Sequence, residues 1–280
     1  VPLYIFVLVV ASAVAHATWN LLAKRLPNRL ETFALINGTL FVIGLLALLI
    51  TGLPATGAIV FIGISVCIHL AYNTLLLNTY THGDLSQGYP IARGLAPPLV
   101  ALGAFIFLSQ QLNAFQIVGI AIAVGGLAFT ISTPEGLWHQ PRKGLAFALA
   151  TGVSVAAYSV VDGIGVRHTQ DALSYAALLM GTEGLIVAVA AALLARRASN
   201  HGDVGTRLAA TFGGVLSFGA YAAVLYAQQH SSLAEVSALR ETSVVIGALL
   251  GTFLLKEGNR RRRVTGAVIL TVGIAVLLLA

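Results

Sequence analysis

The chain has 280 residues, 58% of them hydrophobic and 9% charged, with a formal net charge of +6. Soluble domains carry roughly 25% charged residues, so this composition excludes a water-facing surface of ordinary size. It also excludes a soluble catalytic domain, because apolar stretches take up almost the whole chain.

A helix that crosses a bilayer needs about 20 mostly apolar residues. Ten stretches meet that need, at 3–23, 31–51, 57–80, 84–108, 113–131, 144–166, 172–195, 208–228, 233–255 and 263–280. Alternating strands are absent, which argues against an outer-membrane barrel. Helices satisfy their backbone groups within the span, as a bilayer core demands. The expected fold is all-α and integral to a membrane, with ten transmembrane helices.

Along the first span, Ser12, His16 and Asn20 recur every fourth residue and make one polar stripe, with Trp19 beside it. The third span carries His69, Asn73 and Tyr80, together with Tyr72 and the lone Cys67. One cysteine excludes a disulfide framework and a thiolate metal site, and Cys67 is expected as a small buried side chain. The fourth span holds Tyr89, Pro90, Arg93, Pro97 and Pro98. Proline removes a backbone donor and kinks a helix, so two readings stand near Pro90: an interruption that marks the site or a gate, or a static kink needed only for packing. Freed carbonyls there are candidates to receive a substrate ammonium. The sixth span repeats the stripe pattern with Ser154, Tyr158 and Asp162.

In the seventh span Glu183 lies near mid-membrane and is the first choice for a proton-coupling group. His16, whose imidazole titrates near neutral pH, is the second. Tyr175, near the start of that span, reads as a belt residue at the interface. The eighth span offers Ser217, Tyr221 and Gln228. The ninth contains Glu235, Arg240 and Glu241. Glu235, like Asp84, sits near a helix start, where a carboxylate complements the helix dipole.

The second five spans repeat the first five. Arg93, Gln110, Gly119 and Gly126 are each followed 147 residues later by Arg240, Glu257, Gly266 and Gly273. Five is odd, so the halves, 1–140 and 141–280, are expected to sit upside down relative to each other. Inverted repeats are typical of secondary transporters, whose site lies between them near the midplane. The fifth and tenth spans have no ionisable residue in their apolar runs and are expected to be scaffold, packed through small residues.

The positive charge is not a nucleic-acid signal. Of 16 basic residues, 13 fall in the odd-numbered loops, ending in the run Arg260 to Arg263. The positive-inside rule puts those loops in the cytoplasm and both termini outside. The basic run is expected to meet anionic lipid headgroups.

Polar side chains find no partners in lipid, so the stripes should face the bundle interior or a wet cavity. Arg93 and Arg240 each lie about nine residues into a helix, roughly 13 Å deep. Inversion puts Arg93 in the cytoplasmic half and Arg240 in the outer half. Two readings stay open: each guanidinium receives a substrate carboxylate, or each is half of a structural ion pair, such as Arg240 with Asp162. Trp19, Tyr158 and Tyr221 are deep enough to line a cavity. No phosphate-binding loop, zinc helix or nucleophile elbow is present, so neither an enzyme nor a cofactor is expected.

The sequence resembles the drug/metabolite transporter superfamily in its ten-helix EamA-type branch. The resemblance rests on the end of each half: Pro97-Pro98 through Leu108, Gln110 and Gly119, then Leu254-Leu255-Lys256-Glu257 and Gly266. Gln110 stands where an acid is expected, and Val244-Val245 where proline is. Within that branch the chain looks like bacterial amino-acid exporters of the YddG type. That resemblance implies export of neutral and aromatic amino acids across the inner membrane by alternating access. The alternative is a multidrug or cationic-metabolite exporter. The candidate substrate residues are His16, Trp19, Asn20, Asn73, Tyr89, Arg93, Tyr158, Asp162, Tyr221 and Arg240, with Glu183, Glu241 and Pro90 for coupling or gating. The expected partners are a small-molecule substrate and the lipid bilayer, with the protein a monomer or homodimer.

Overall fold

The structure, a computed structural model, describes residues 1–25, 29–82, 85–131, 142–195, 203–246 and 260–279. Among these every regular element is helical. In chain order they are α1 (Leu3–Arg25), α2 (Arg29–Thr51), α3 (Thr56–His82), α4 (Leu85–Leu108), α5 (Ala114–Ile131), α6 (Arg142–Gly165), a 3₁₀ turn (Val166–His168), α7 (Ala172–Ala195), α8 (Val204–His230), α9 (Leu233–Arg240) and α10 (Arg260–Leu279). After α9 the chain makes a turn at Glu241 and is helical again over 242–246.

Five stretches are long and apolar enough to cross a membrane by length and composition: Leu30–Thr51, Thr56–Leu76, Lys143–His168, Ala172–Leu194 and Val204–His230. Shorter apolar stretches lie in α1, α4, α5 and α10. Large apolar side chains stay exposed along these helices, among them Leu49, Ile50, Phe105, Phe107, Phe115 and Ile117. Contiguous exposed apolar surface of this kind fits a hydrocarbon solvent better than water. Cys67 is exposed too, contrary to its expected burial; a small thiol gains nothing from leaving lipid for the protein interior.

Local chemistry sets several helix starts. Asn113 and Gln116 form a reciprocal capping box before α5: Gln116 N–H donates to Asn113 Oδ1 at 2.8 Å, and Asn113 N–H to Gln116 Oε1 at 3.0 Å. Asp171 caps α7 by accepting from the N–H groups of Leu173 and Ser174. Asp203 caps α8 by accepting the Thr206 N–H at 2.8 Å. Gln110, at the corner after α4, accepts the Leu233 N–H and the Ser232 hydroxyl at the start of α9. A neutral amide thus does the work expected of an acid at that corner.

The chain forms two compact units, and neither coincides with a sequence half. One comprises residues 1–6, 71–161 and 231–280; the other, residues 7–70 and 162–230. The first unit is built on α5 against α10, with α4 against both α5 and α9. A Cβ added at Gly126 would lie 2.9 Å from the Gly266 carbonyl oxygen, and one at Gly273 would lie 2.7 Å from that of Gly119. The four glycines of the repeat therefore pack reciprocally, and the expected scaffold role of these two helices holds. Chain numbers rise on one helix as they fall on the other, so the pair is antiparallel.

In the second unit α2 runs antiparallel along α7 and also meets α8. A Cβ at Gly44 would lie 2.6 Å from the Ala177 carbonyl oxygen. Backbones approach this closely only where side chains are small. Leu40, Ala177, Met180 and Phe218 fill one core there. Ala58, Ile62, Val66, Tyr175, Leu179 and Leu225 fill another.

Candidate functional site

Chemistry-bearing side chains gather in each unit separately. In the first unit the focus is the break after α9. Glu241 has φ −68° and ψ −12°, and its N–H turns back to the Ala238 carbonyl at 3.1 Å. The Val244 N–H then bonds the Glu241 carbonyl at 3.0 Å. The ladder tightens to 3₁₀ spacing for one turn, a pattern that often marks a functional hinge. No proline causes it. The interruption expected near Pro90 is not found: α4 is assigned without a break through Pro90, Pro97 and Pro98. A proline ring removes one donor, and neighbouring helices commonly re-satisfy the freed carbonyl inside a membrane.

The Glu241 side chain is 2% exposed and forms an ion pair with Arg93, Nη2 to Oε1 at 3.1 Å. The charge of Arg240 acts on the same carboxylate. Arg240 is itself buried, and its Nη1 points to Ser159 Oγ at 3.5 Å. Glu241 Oε2 and Ser243 Oγ are buried with no hydrogen-bond partner among the described residues. The two arginines, expected in opposite halves of the bilayer, thus converge on one carboxylate. The acid at this cluster is Glu241, where Asp162 was offered as the example. Tyr158, buried on α6, meets Tyr72 edge to face with ring centroids 5.7 Å apart. Asn73 is half-buried on α3. Glu235, in the first turn of α9, accepts a hydrogen bond from Gln116 Nε2, as its expected place at a helix start allows.

In the second unit the focus is Asp162, which is fully buried near the end of α6. Tyr175 Oη donates to its Oδ1 at 3.0 Å, and Tyr221 Oη donates to its Oδ2. Ser65 and His69, both on α3, act electrostatically on the same carboxylate. His69 Nδ1 lies 3.1 Å from Ser65 Oγ and 3.0 Å from its carbonyl oxygen. The imidazole stands edge-on to the Tyr221 ring, with centroids 5.7 Å apart. Gly165 makes room for this arrangement, since a Cβ there would fall 2.5 Å from Tyr175 Oη. Tyr175 is therefore not a belt residue: it is completely buried, with its hydroxyl spent on Asp162.

His16 and Trp19 meet each other, Trp19 Nε1 donating to His16 Nδ1 at 3.3 Å. Glu183 is half-buried on α7, eight residues beyond Tyr175 and so about two turns away. The side chains of Asn20, Tyr80, Tyr89 and Pro90, and all of Asp84 and Glu257, lie outside the described residues. Sequence reasoning missed Tyr175, Ser65, Ser159 and Ser243. For Ser65 a signal existed: it extends the His69 and Asn73 stripe by one more step of four. For Tyr175 there was none.

Residues 142–279, just under half of the chain, match the model of the EamA-like transporter family. The whole chain superposes on a solved crystal structure of another protein with a TM-score of 0.79, covering 100% of this chain and 98% of that one at 15% identity. At that identity the likeness concerns the fold. No curated protein matches the sequence.

Proposed function

We infer that this chain is a secondary transporter of the EamA-like kind, carrying a small solute across a membrane by alternating access. The observation that carries the reading is the break in the ninth span. A discontinuous helix with buried charge at membrane depth is how transporters build sites for polar solutes. The family match over the second half supports it, as does the 147-residue spacing that relates Arg93 to Arg240. The halves 1–140 and 141–280 are taken as inverted repeats of five spans each.

The solute proposed is a neutral or aromatic amino acid, moved outward across a bacterial inner membrane. Arg240 would hold the carboxylate by its planar fork. The unpartnered Glu241 oxygen would receive the ammonium. Tyr158 and Tyr72, which meet edge to face, supply aromatic surface for the side chain. A second reading, export of organic cations, is favoured by Asp162, whose carboxylate is walled by two tyrosine rings.

Counterflow in proteoliposomes separates these readings. Vesicles are loaded with one unlabelled solute, and uptake of labelled threonine, methionine or phenylalanine is followed without an ion gradient. Trans-stimulated uptake, lost in Arg240→Ala, supports the amino-acid reading. Uptake of ethidium with no amino-acid flux supports the second. No flux of any probe removes both.

A further inference from the structure

Among the described residues two carboxylates are buried almost completely, and their surroundings differ in kind. Glu241 faces guanidinium groups. An arginine never loses its charge in a protein, so Glu241 has a permanent counter-ion. Asp162 has none of that kind. From α3 it is faced by His69 and Ser65, from α7 by Tyr175 and from α8 by Tyr221. Of these groups only the His69 imidazole can carry a positive charge at all.

We propose that Asp162 and His69 form a proton-binding site that couples transport to the proton gradient. The inference rests on the transporter reading above and assigns its coupling ion. A lone charge in so apolar a setting is costly, so the pair is most stable when it is neutral overall. It then holds one proton more than the aspartate with a neutral imidazole. Loss of that proton leaves a carboxylate held by the Tyr175 and Tyr221 hydroxyls, already aimed at its two oxygens. The two states therefore share one geometry and differ by a single proton. The step is a proton transfer alone: an O–H bond forms on the Asp162 carboxyl, beside the His69 imidazole, as a water-borne proton is taken up, and it breaks as the proton is returned to water.

The position suits this role. Asp162 lies three residues from the end of α6, and Tyr175 three residues into α7. The 3₁₀ turn and loop between them belong to an even-numbered loop, assigned to the outer face by the distribution of basic residues. A cell's proton gradient delivers protons from that side. The site is sealed in this conformation, since Asp162 and Tyr175 are both 0% exposed. A proton bound there is held between the two aqueous phases, as alternating access requires. Glu183 and His16 were the earlier candidates; neither shares the Asp162 cluster.

The test uses the purified full chain in two measurements. The first needs no substrate: pH-difference infrared spectroscopy in lipid nanodiscs. The wild type should show a carboxylic-acid C=O band that titrates, is absent in Asp162→Asn and persists in Glu241→Gln. A band unchanged in Asp162→Asn, or no titrating band at all, overturns the proposal. Tyr221→Phe keeps every charge and serves if Asp162→Asn does not fold; it should move the midpoint of the band, and an unmoved midpoint counts against the site.

The second measurement is flux in proteoliposomes with labelled threonine, methionine or phenylalanine, the solutes of the reading in which Asp162 does not touch substrate. Asp162→Asn should retain counterflow and lose accumulation driven by a pH gradient. Gradient-driven accumulation equal to wild type overturns the coupling role. Absence of all flux in the wild type would instead sink the transporter reading, and the infrared result would still decide the proton site.

Discussion

Removing the acid from the Arg93–Glu241 pair should be far more damaging than removing the base. The two groups are 3.1 Å apart with side chains 5% and 3% exposed. At an effective dielectric constant of 20, their attraction is about 5 kcal/mol. Breaking a buried pair by deleting one partner costs roughly 3–5 kcal/mol, because the other charge is left uncompensated. Glu241→Gln lies in that range: it removes the carboxylate 3.1 Å from Arg93, whose charge cannot be shed, and leaves Arg240 repelling it nearby. Arg93→Gln leaves a carboxylate that still has Arg240 near it and can take up a proton, so its cost should be nearer 1–3 kcal/mol. The double variant Arg93→Gln/Glu241→Gln should recover part of the loss, with a coupling energy of about 1–3 kcal/mol. Unfolding free energies in mixed micelles, followed by circular dichroism across the four proteins of the cycle, give these numbers. Equal costs for the two single variants, or strict additivity in the double, would refute the account of Glu241 as the anchored member of a buried pair.

Gly126→Val should destabilise the α5–α10 contact by about 1–3 kcal/mol, since its side chain meets the Leu270 and Gly266 backbone; in the same unfolding assay Gly38→Ala, with nothing within 4 Å, should be neutral or stabilising. Tyr175→Phe leaves Asp162 Oδ1 without its phenol donor and should cost about 1–3 kcal/mol, whereas a surface belt tyrosine would lose nothing. Asp203 is fully exposed, and its bonds to Thr206 hold its carboxyl below the ordinary value of 3.8. A lowered folded value means a contribution that is complete above the ordinary value and fades as pH falls through the folded one. Asp203→Asn should therefore lower stability slightly in the neutral region, where the contribution is complete, and converge on the wild type at low pH, so that the acid limb becomes flatter.

Most of the helical architecture was legible because hydrocarbon imposes it. Apolar runs of sufficient length have no folded alternative in lipid, so α1 to α8 and α10 fall on the expected stretches within a few residues. The glycine pairs were equally readable: an exact 147-residue spacing between two apolar runs without ionisable groups leaves packing as the natural use. The ninth span was harder. Proline is a local cause of helix breaks and is visible in sequence, which is why Pro90 stands out. The actual break at Glu241 has no local cause. Its polar neighbours come from α4 and α6, more than 80 residues away in the chain for Ser159 and more for Arg93. Tyr175 was misread for a related reason. Distance to a span end says nothing of the packing around it, and the missing side chain of Gly165 leaves space that the Tyr175 ring and hydroxyl occupy.

The same reasoning explains why the sequence ranked its carboxylates poorly. Counting residues to mid-membrane made Glu183 the deepest acid, and depth was taken as a measure of unusual chemistry. Depth in the span is only one component of a group's surroundings; the partners supplied by other helices decide what an acid can do. Glu183 is half-buried, whereas Asp162, much nearer a helix end, is sealed by tyrosines from two other helices and a histidine from a third. Glu241 is sealed as well, yet its charge is fixed by arginine. A permanent counter-ion suits a group that must present the same face to every solute, and a titratable one suits a group that must change state once per cycle. If that division holds, Glu241→Gln and Asp162→Asn will differ in kind as well as degree. The first should abolish counterflow and gradient-driven flux together, and the second should uncouple them. A Glu241→Gln protein that stays folded and keeps counterflow would show that the arginine-anchored carboxylate is structural, and would move the solute site away from the ninth span.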